Sequence, residues 1–187
     1  MNTLDTPATP SSNTPIWNTA LRYGAYCGGI MVAFSLLSYL ADVNVMSVSG
    51  MITMYGSILV IGFTMAALAM RHQRDQLDGG IISYAKALSV GIVVVLIGMI
   101  ISSFWNYVLV NFIDTEYINR LKEQFIATWG ESMPEDSLDE ALAGFDKAGN
   151  LLETIKSSLI GGTIFGLIIG LITAAFMKRE PMKEYMR

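Results

Sequence analysis

SYAKALSVGIVVVLIGMIISSFWNYVLVNF, residues 83–112, is an almost unbroken apolar run of 30 residues. As a helix it measures about 45 Å at 1.5 Å per residue. A bilayer's hydrocarbon core is only about 30 Å thick. Such a helix either tilts strongly or projects from the membrane, with Phe104, Trp105 and Tyr107 marking an interface level. In lipid the backbone must satisfy its own hydrogen bonds, so a single uninterrupted run of this length reads as a helix rather than a strand.

Three further runs pass the same test: ALRYGAYCGGIMVAFSLLSYLA at 20–41, SGMITMYGSILVIGFTMAALAM at 49–70 and SSLIGGTIFGLIIGLITAAFM at 157–177. None of the four has an acidic residue in its central part. The reading is an all-α integral membrane protein with four spans. Composition agrees: 52% of the 187 residues are hydrophobic and 15% are charged, where soluble domains carry about 25% charged residues. Residues 1–17 are rich in Pro, Thr and Ser and are expected to form a disordered tail. They lack the basic n-region of a signal peptide, so the first span is expected to stay as an anchor. The membrane domain is then 18–180, and 181–187 is a second tail.

Lys and Arg give the orientation. Arg22, Arg71, Arg74, Lys86, Lys178, Arg179, Lys183 and Arg187 fall on one side; Arg120, Lys122, Lys147 and Lys156 fall on the other. The positive-inside rule puts the first group in the cytoplasm, with both termini inside; Arg71, Arg74, Lys178 and Arg179 are the topology-determining residues. Acids sharpen the contrast. The inner side has eight bases against five acids, and the outer side four against eleven.

The outer segment 113–156 is too long to be structureless in a compact fold. Ile118, Leu121, Phe125 and Trp129 recur at helical spacing, after Asp114 or Thr115 as a cap and before Gly130 as a stop. Ser132–Glu135 and Ser137–Glu140 are capping-box patterns. Leu138, Leu142, Phe145, Leu152, Ile155 and Leu159 form a stripe running into the fourth span, with Gly149-Asn150 as a break. Two amphipathic helices are expected outside. Their stripes would cover each other, the end of span three or the interface.

The segment RHQRDQLDGGIISYAKAL, 71–88, holds the single histidine and reads as the cytoplasmic connection between spans two and three. Asp78-Gly79-Gly80 is expected to turn, since glycine takes φ > 0 freely, and Ser83 to cap the next helix. His72 is expected to sit solvated at the headgroup boundary.

Gly24 and Gly28-Gly29 early in span one, the pair Arg71 and Arg74, DGGIISYAKAL at 78–88, FIDTEYINRLKEQF at 112–125 and the closing MKRE together resemble a family of small bacterial four-span proteins, domain of unknown function 4199. The resemblance covers about residues 18–180. It implies the fold and an inner-membrane location, and it brings no catalytic or binding residues.

Candidate sites follow from the side chains. Gly162, Gly166 and Gly170 share one face of span four, and Gly24 and Gly28 share one face of span one. Faces without side chains admit close helix approach, and packing drives association in lipid. These are helix-packing residues, expected to join spans one and four within the chain; homodimerisation or a membrane-protein partner is the alternative. Ser102, Ser103, Asn106 and Asn111 make the outer half of span three polar and suit interhelical hydrogen bonds or a small cavity.

Met46, Met51 and Met54 cluster at the outer end of span two. Thioethers suit Cu(I), but no nearby Cys or His completes a site, so packing is the expected role. One Cys and one His cannot build a disulfide, a CxxC or a zinc site. Cys27 is expected to behave as a small buried hydrophobe. Glu131, Glu135, Asp136, Asp139 and Glu140 lack an EF-hand pattern and read as a solvated acidic surface. Nothing supplies a nucleophile beside His72. No basic patch points to nucleic acid. The expectation is a membrane protein without catalysis, cofactor or metal, bound by the lipid bilayer and acting as a structural, assembly or interaction subunit. A small-solute transporter or channel is the alternative.

Overall fold

The computed structural model describes residues 15–179. The tail expected over 1–17 lies outside them up to residue 14, and the C-terminal tail 181–187 lies outside them entirely. Four long helices form an antiparallel bundle: α1 (Trp17–Leu40), α2 (Val48–His72), α3 (Tyr84–Val108) and α6 (Leu151–Met177). Two shorter helices, α4 (Tyr117–Trp129) and α5 (Glu135–Lys147), make a lobe between α3 and α6. All four long helices are long and apolar enough to cross a membrane. The chain is thus a multi-pass membrane protein. The bundle has a termini end, where α1 begins and α6 finishes, and a lobe end.

The surface bears this out. Ile160 of α6 is 64% exposed and Phe176 is 82% exposed, and Leu37, Ile52 and Val60 also point outward. So much bare apolar surface would be an association hazard in water; around a bundle in lipid it is the solvent-matched face.

Helix α2 runs past its expected end. The helix of α2 continues through a π-helical turn, Gln73–Leu77, and that of α3 through a second, Leu109–Ile113. The charged residues after Met70 are therefore helical, where a connector was expected. The cause is local: Arg71 lies 3.5 Å from Asp75 one turn on, while Gln73 is fully buried and anchors the turn. Span three, Tyr84–Ile113, matches its expected length closely.

Helix starts follow short-range chemistry. Ser47 accepts from the Gly50 amide and Ser83 from that of Lys86, as expected for Ser83. Asn150 accepts from Leu152 and Glu153, placing the expected break at the head of α6. Three expected caps are not made. Neither Asp114 nor Thr115 caps α4, which starts after Glu116 without a side-chain cap. Asp114 instead bonds Tyr39 and Arg120. Neither capping box forms: Ser132 bonds back to the Trp129 carbonyl, and α5 begins behind Pro134, which contributes no side-chain cap. Ser137 falls inside that helix.

Helix α3 is the hub, packed along its length against α6 on one side and α1 on the other, with α2 more loosely applied. A Cβ on Gly24 would sit 2.7 Å from Ile97 Cβ, and one on Gly28 2.6 Å from Ile101 Cβ. On the opposite flank a Cβ on Gly166 would lie 3.1 Å from the Ile92 carbonyl oxygen and 3.2 Å from its Cα. Gly162 and Gly170 take up Leu96 and Leu88 in the same way. The expected pairing of spans one and four is thus corrected. Both glycine faces lie within the chain, but each seats on α3, which slots between them. Helix α3 returns the fit, since a Cβ on Gly98 would lie 2.8 Å from Cys27 Sγ.

Candidate functional site

Polar chemistry gathers at the two ends of the bundle, and each end has its own construction. At the termini end, the segment 71–88 folds into a latch. Gly79 and Gly80 carry φ of 63° and 89° and turn the chain, so that Asp78 points back into the bundle, only 3% exposed. Lys86 Nζ donates to Asp78 Oδ1 at 2.8 Å and Gln73 Nε2 to Asp78 Oδ2 at 3.4 Å. Thr19 of α1 donates to Gln73 Oε1 at 2.6 Å. Arg74 pairs with Asp75 at 2.7 Å and donates to the Met177 carbonyl at 3.3 Å. Ile82 and Arg179 exchange backbone hydrogen bonds, both 3.1 Å. All four long helices are tied together here.

This corrects the expected reading of the segment as a solvated connector. Gln73, Arg74 and Asp78 are buried. His72 is half-buried, its ring 5.6 Å from that of Tyr23, rather than free in the headgroup layer. Arg71 remains exposed. Of the residues named for orientation, Arg74 and Arg179 also hold the bundle together.

At the lobe end, helices α4 and α5 pair through the Phe125 and Phe145 rings, 5.5 Å apart, and through Lys122 to Asp146 at 2.5 Å. The lobe is fastened to the bundle twice. The Trp129 indole donates to the Met46 carbonyl at 3.0 Å. Asp114 accepts from Tyr39 at 2.9 Å and from both terminal nitrogens of Arg120. The α5–α6 stripe is broken between Lys147 and Leu151, at the expected Gly149-Asn150, and Leu152, Ile155 and Leu159 face outward on α6.

The Arg120 guanidinium holds the Asp114 carboxyl below the usual carboxylate range, with the Tyr39 hydroxyl adding to the effect against partial burial. A carboxylate with a depressed folded value stabilises the fold at every pH above its unfolded value of about 3.9. That contribution is lost as the pH falls through the lower folded value. Protection of the amides across 114–121, relative to their intrinsic exchange rates, is therefore expected to fall below about pH 4, and Asp114→Asn should already show low protection at neutral pH with little further loss on acidification.

Between these ends, under the lobe, lies a cavity of about 280 Å³. Tyr117 and Leu121 of α4 roof it, and Ser35, Ser38, Ser102 and Asn106 give it a polar wall. Met31, Met46, Met54 and Met99 converge on it from four separate elements. Ser102 and Asn106 line the cavity, the second of the two roles expected of them, and make no interhelical side-chain hydrogen bond among the described residues. Ser103 lines the cavity and also accepts from Ser158 of α6; Asn111 turns away and bonds the Tyr107 carbonyl. The methionine grouping differs from expectation, with Met31 and Met99 where Met51 was expected. Spacing along one helix carries no information about neighbours on another, so this convergence left no sequence signal.

Among curated proteins and among solved structures, nothing matches the chain. A family model, protein of unknown function (DUF4199), matches residues 22–179. That stretch takes in α1 from Arg22 onward, the other three long helices whole, the latch apart from Thr19, the lobe and the cavity, and the chain belongs to this family.

Proposed function

We propose that this is an integral protein of a bacterial inner membrane, with both termini in the cytoplasm and the α4–α5 lobe outside it, acting as a structural, assembly or interaction subunit. The lobe carries the reading. It is a short helical hairpin held firmly to the bundle, and it presents Glu131, Glu135, Asp136, Asp139 and Glu140, all exposed, to its surroundings. A fixed acidic display suits recognition of a basic partner surface, because charge complementarity steers encounter and fixes register. The glycine faces are filled within the chain, so a partner or second copy would meet the lobe or the outer faces of α2 and α6. Orientation is supported by the basic residues at the termini end, among them exposed Arg71, against the acids of the lobe. The reading assigns no catalysis, cofactor or nucleic acid.

Spheroplasts treated with a membrane-impermeant lysine cross-linker test both parts. Lys147 and Lys156 are expected to react and to yield links to another membrane protein or a second copy, while Lys178 stays unmodified. Modification of Lys178 instead would invert the topology. Intramolecular links alone would remove the interaction reading. The transporter reading draws on the cavity, and its requirement is solute flux through liposomes containing the protein.

A further inference from the structure

The cavity abuts a groove on the outer surface. The groove, of about 520 Å³, runs between α1 and α2, lined by Ile52, Gly56 and Val60 among others. Phe34 and Ile61 line both the groove and the cavity, so these two side chains form the wall between the lipid-facing surface and the interior. The groove is deepened at Gly56, where an added Cβ would meet nothing within 4 Å. Among the described residues, no Asp, Glu, Lys, Arg or His lines the cavity. Yet half-buried Ser35 and Ser102 face it without a side-chain hydrogen bond among the described residues, and exposed Asn106 also lines it. Unpaired polar groups at membrane depth are costly, and a guest with one hydroxyl or carbonyl group would satisfy them. A charged guest would find no counter-charge and would lose its hydration. Methionine walls adapt to varied apolar shapes.

From these features we infer that the cavity binds an uncharged single-chain amphipath taken from the bilayer. It enters sideways between α1 and α2 past Phe34 and Ile61, and its polar head is held by Asn106 and Ser102. The volume is near the lower end of ligand pockets, which run from roughly 300 to 1,000 Å³, and suits a small head with part of its chain, the remainder lying in the groove.

The probe is hexadecanol carrying a photoactivatable diazirine, in phosphatidylcholine liposomes holding the full-length protein. Label is expected to concentrate on Phe34, Ile61 and Met99 and to be displaced by plain hexadecanol, but not by palmitate or hexadecylammonium. Gly56→Trp fills the groove from a position with free space and is expected to cut cavity label about tenfold, equivalent to about 1.4 kcal/mol. Asn106→Leu, which preserves bulk, should cut it several-fold. Label spread evenly over outward residues away from the groove, such as Ile160 and Phe176, in the unmodified protein would overturn the inference. So would equal displacement by palmitate, or cavity label that neither substitution changes.

Discussion

Gly166→Leu is expected to lower the unfolding temperature in detergent by roughly 6–12 °C, whereas Gly161→Leu, five residues away on the same helix, should leave it nearly unchanged. At Gly166 the nearest atoms to a new Cβ are the backbone carbonyl and Cα of Ile92. A side chain can swing aside, but the backbone of α3 cannot move without carrying its whole contact with α1. Forcing extra carbons into a packed interior costs about 1–3 kcal/mol and sometimes more; four carbons against backbone place this change at the upper limit or beyond. For a chain of this size each kcal/mol is worth about 2–4 °C. At Gly161 the nearest atom is the flexible Met99 methyl at 3.6 Å, an ordinary contact, and leucine's better helix propensity offsets a small clash. Equal losses at both sites would show that helix composition, rather than the α3–α6 seam, governs stability. The same contrast applies to Gly28, against Ile101, and its neighbour Gly29, which has nothing within 4 Å.

That comparison shows what a sequence can say about such a fold. The four spans are legible because length and apolarity are one-dimensional properties, and lipid allows a helix little alternative. That Gly24, Gly28, Gly162, Gly166 and Gly170 lie on close-packed faces is also legible, since four-residue spacing marks one side of a helix. Which helix fills each face is not. Spans one and four have matching faces, and span three looks too bulky to serve them. In the fold its isoleucines and leucines are the knobs that both faces receive. Short capping patterns failed for a related reason. Ser132 and Asp114 have several partners in reach: Ser132 takes the local Trp129 carbonyl, and Asp114 takes Tyr39 from α1 and Arg120 from within α4 in place of the helix end.

The latch was the least legible part, and it yields the second large effect. Asp78→Ala is expected to destabilise the bundle by about 3 kcal/mol or more, because breaking a buried ion pair from one side costs roughly 3–5 kcal/mol. Lys86 Nζ and Gln73 Nε2 both donate to this carboxylate, which is 1% exposed; the Lys86 side chain is 14% exposed. Its loss also loosens Gln73, and through it Thr19 of α1. In the sequence, Asp78 stands among charges beside a Gly-Gly pair, the usual mark of a solvated turn. Burial follows from the turn at the two positive-φ glycines, which brings Asp78 onto Gln73 and Lys86. Charge at the membrane edge is then held inside the protein, where it orders helix ends instead of being hydrated. A double-mutant cycle with Lys86→Met separates the two contributions. If the pair itself matters, Asp78→Asn with Lys86→Met should recover much of the loss, since the amide still bonds Gln73 and no ammonium is left at the site. If the double variant is as unstable as Asp78→Ala, the carboxylate acts mainly by positioning the turn. Unfolding curves for the unmodified protein, Asp78→Ala, Asp78→Asn, Lys86→Met and the double variant in the same detergent distinguish these outcomes, and a loss below about 1 kcal/mol for Asp78→Ala would place the latch with ordinary surface pairs.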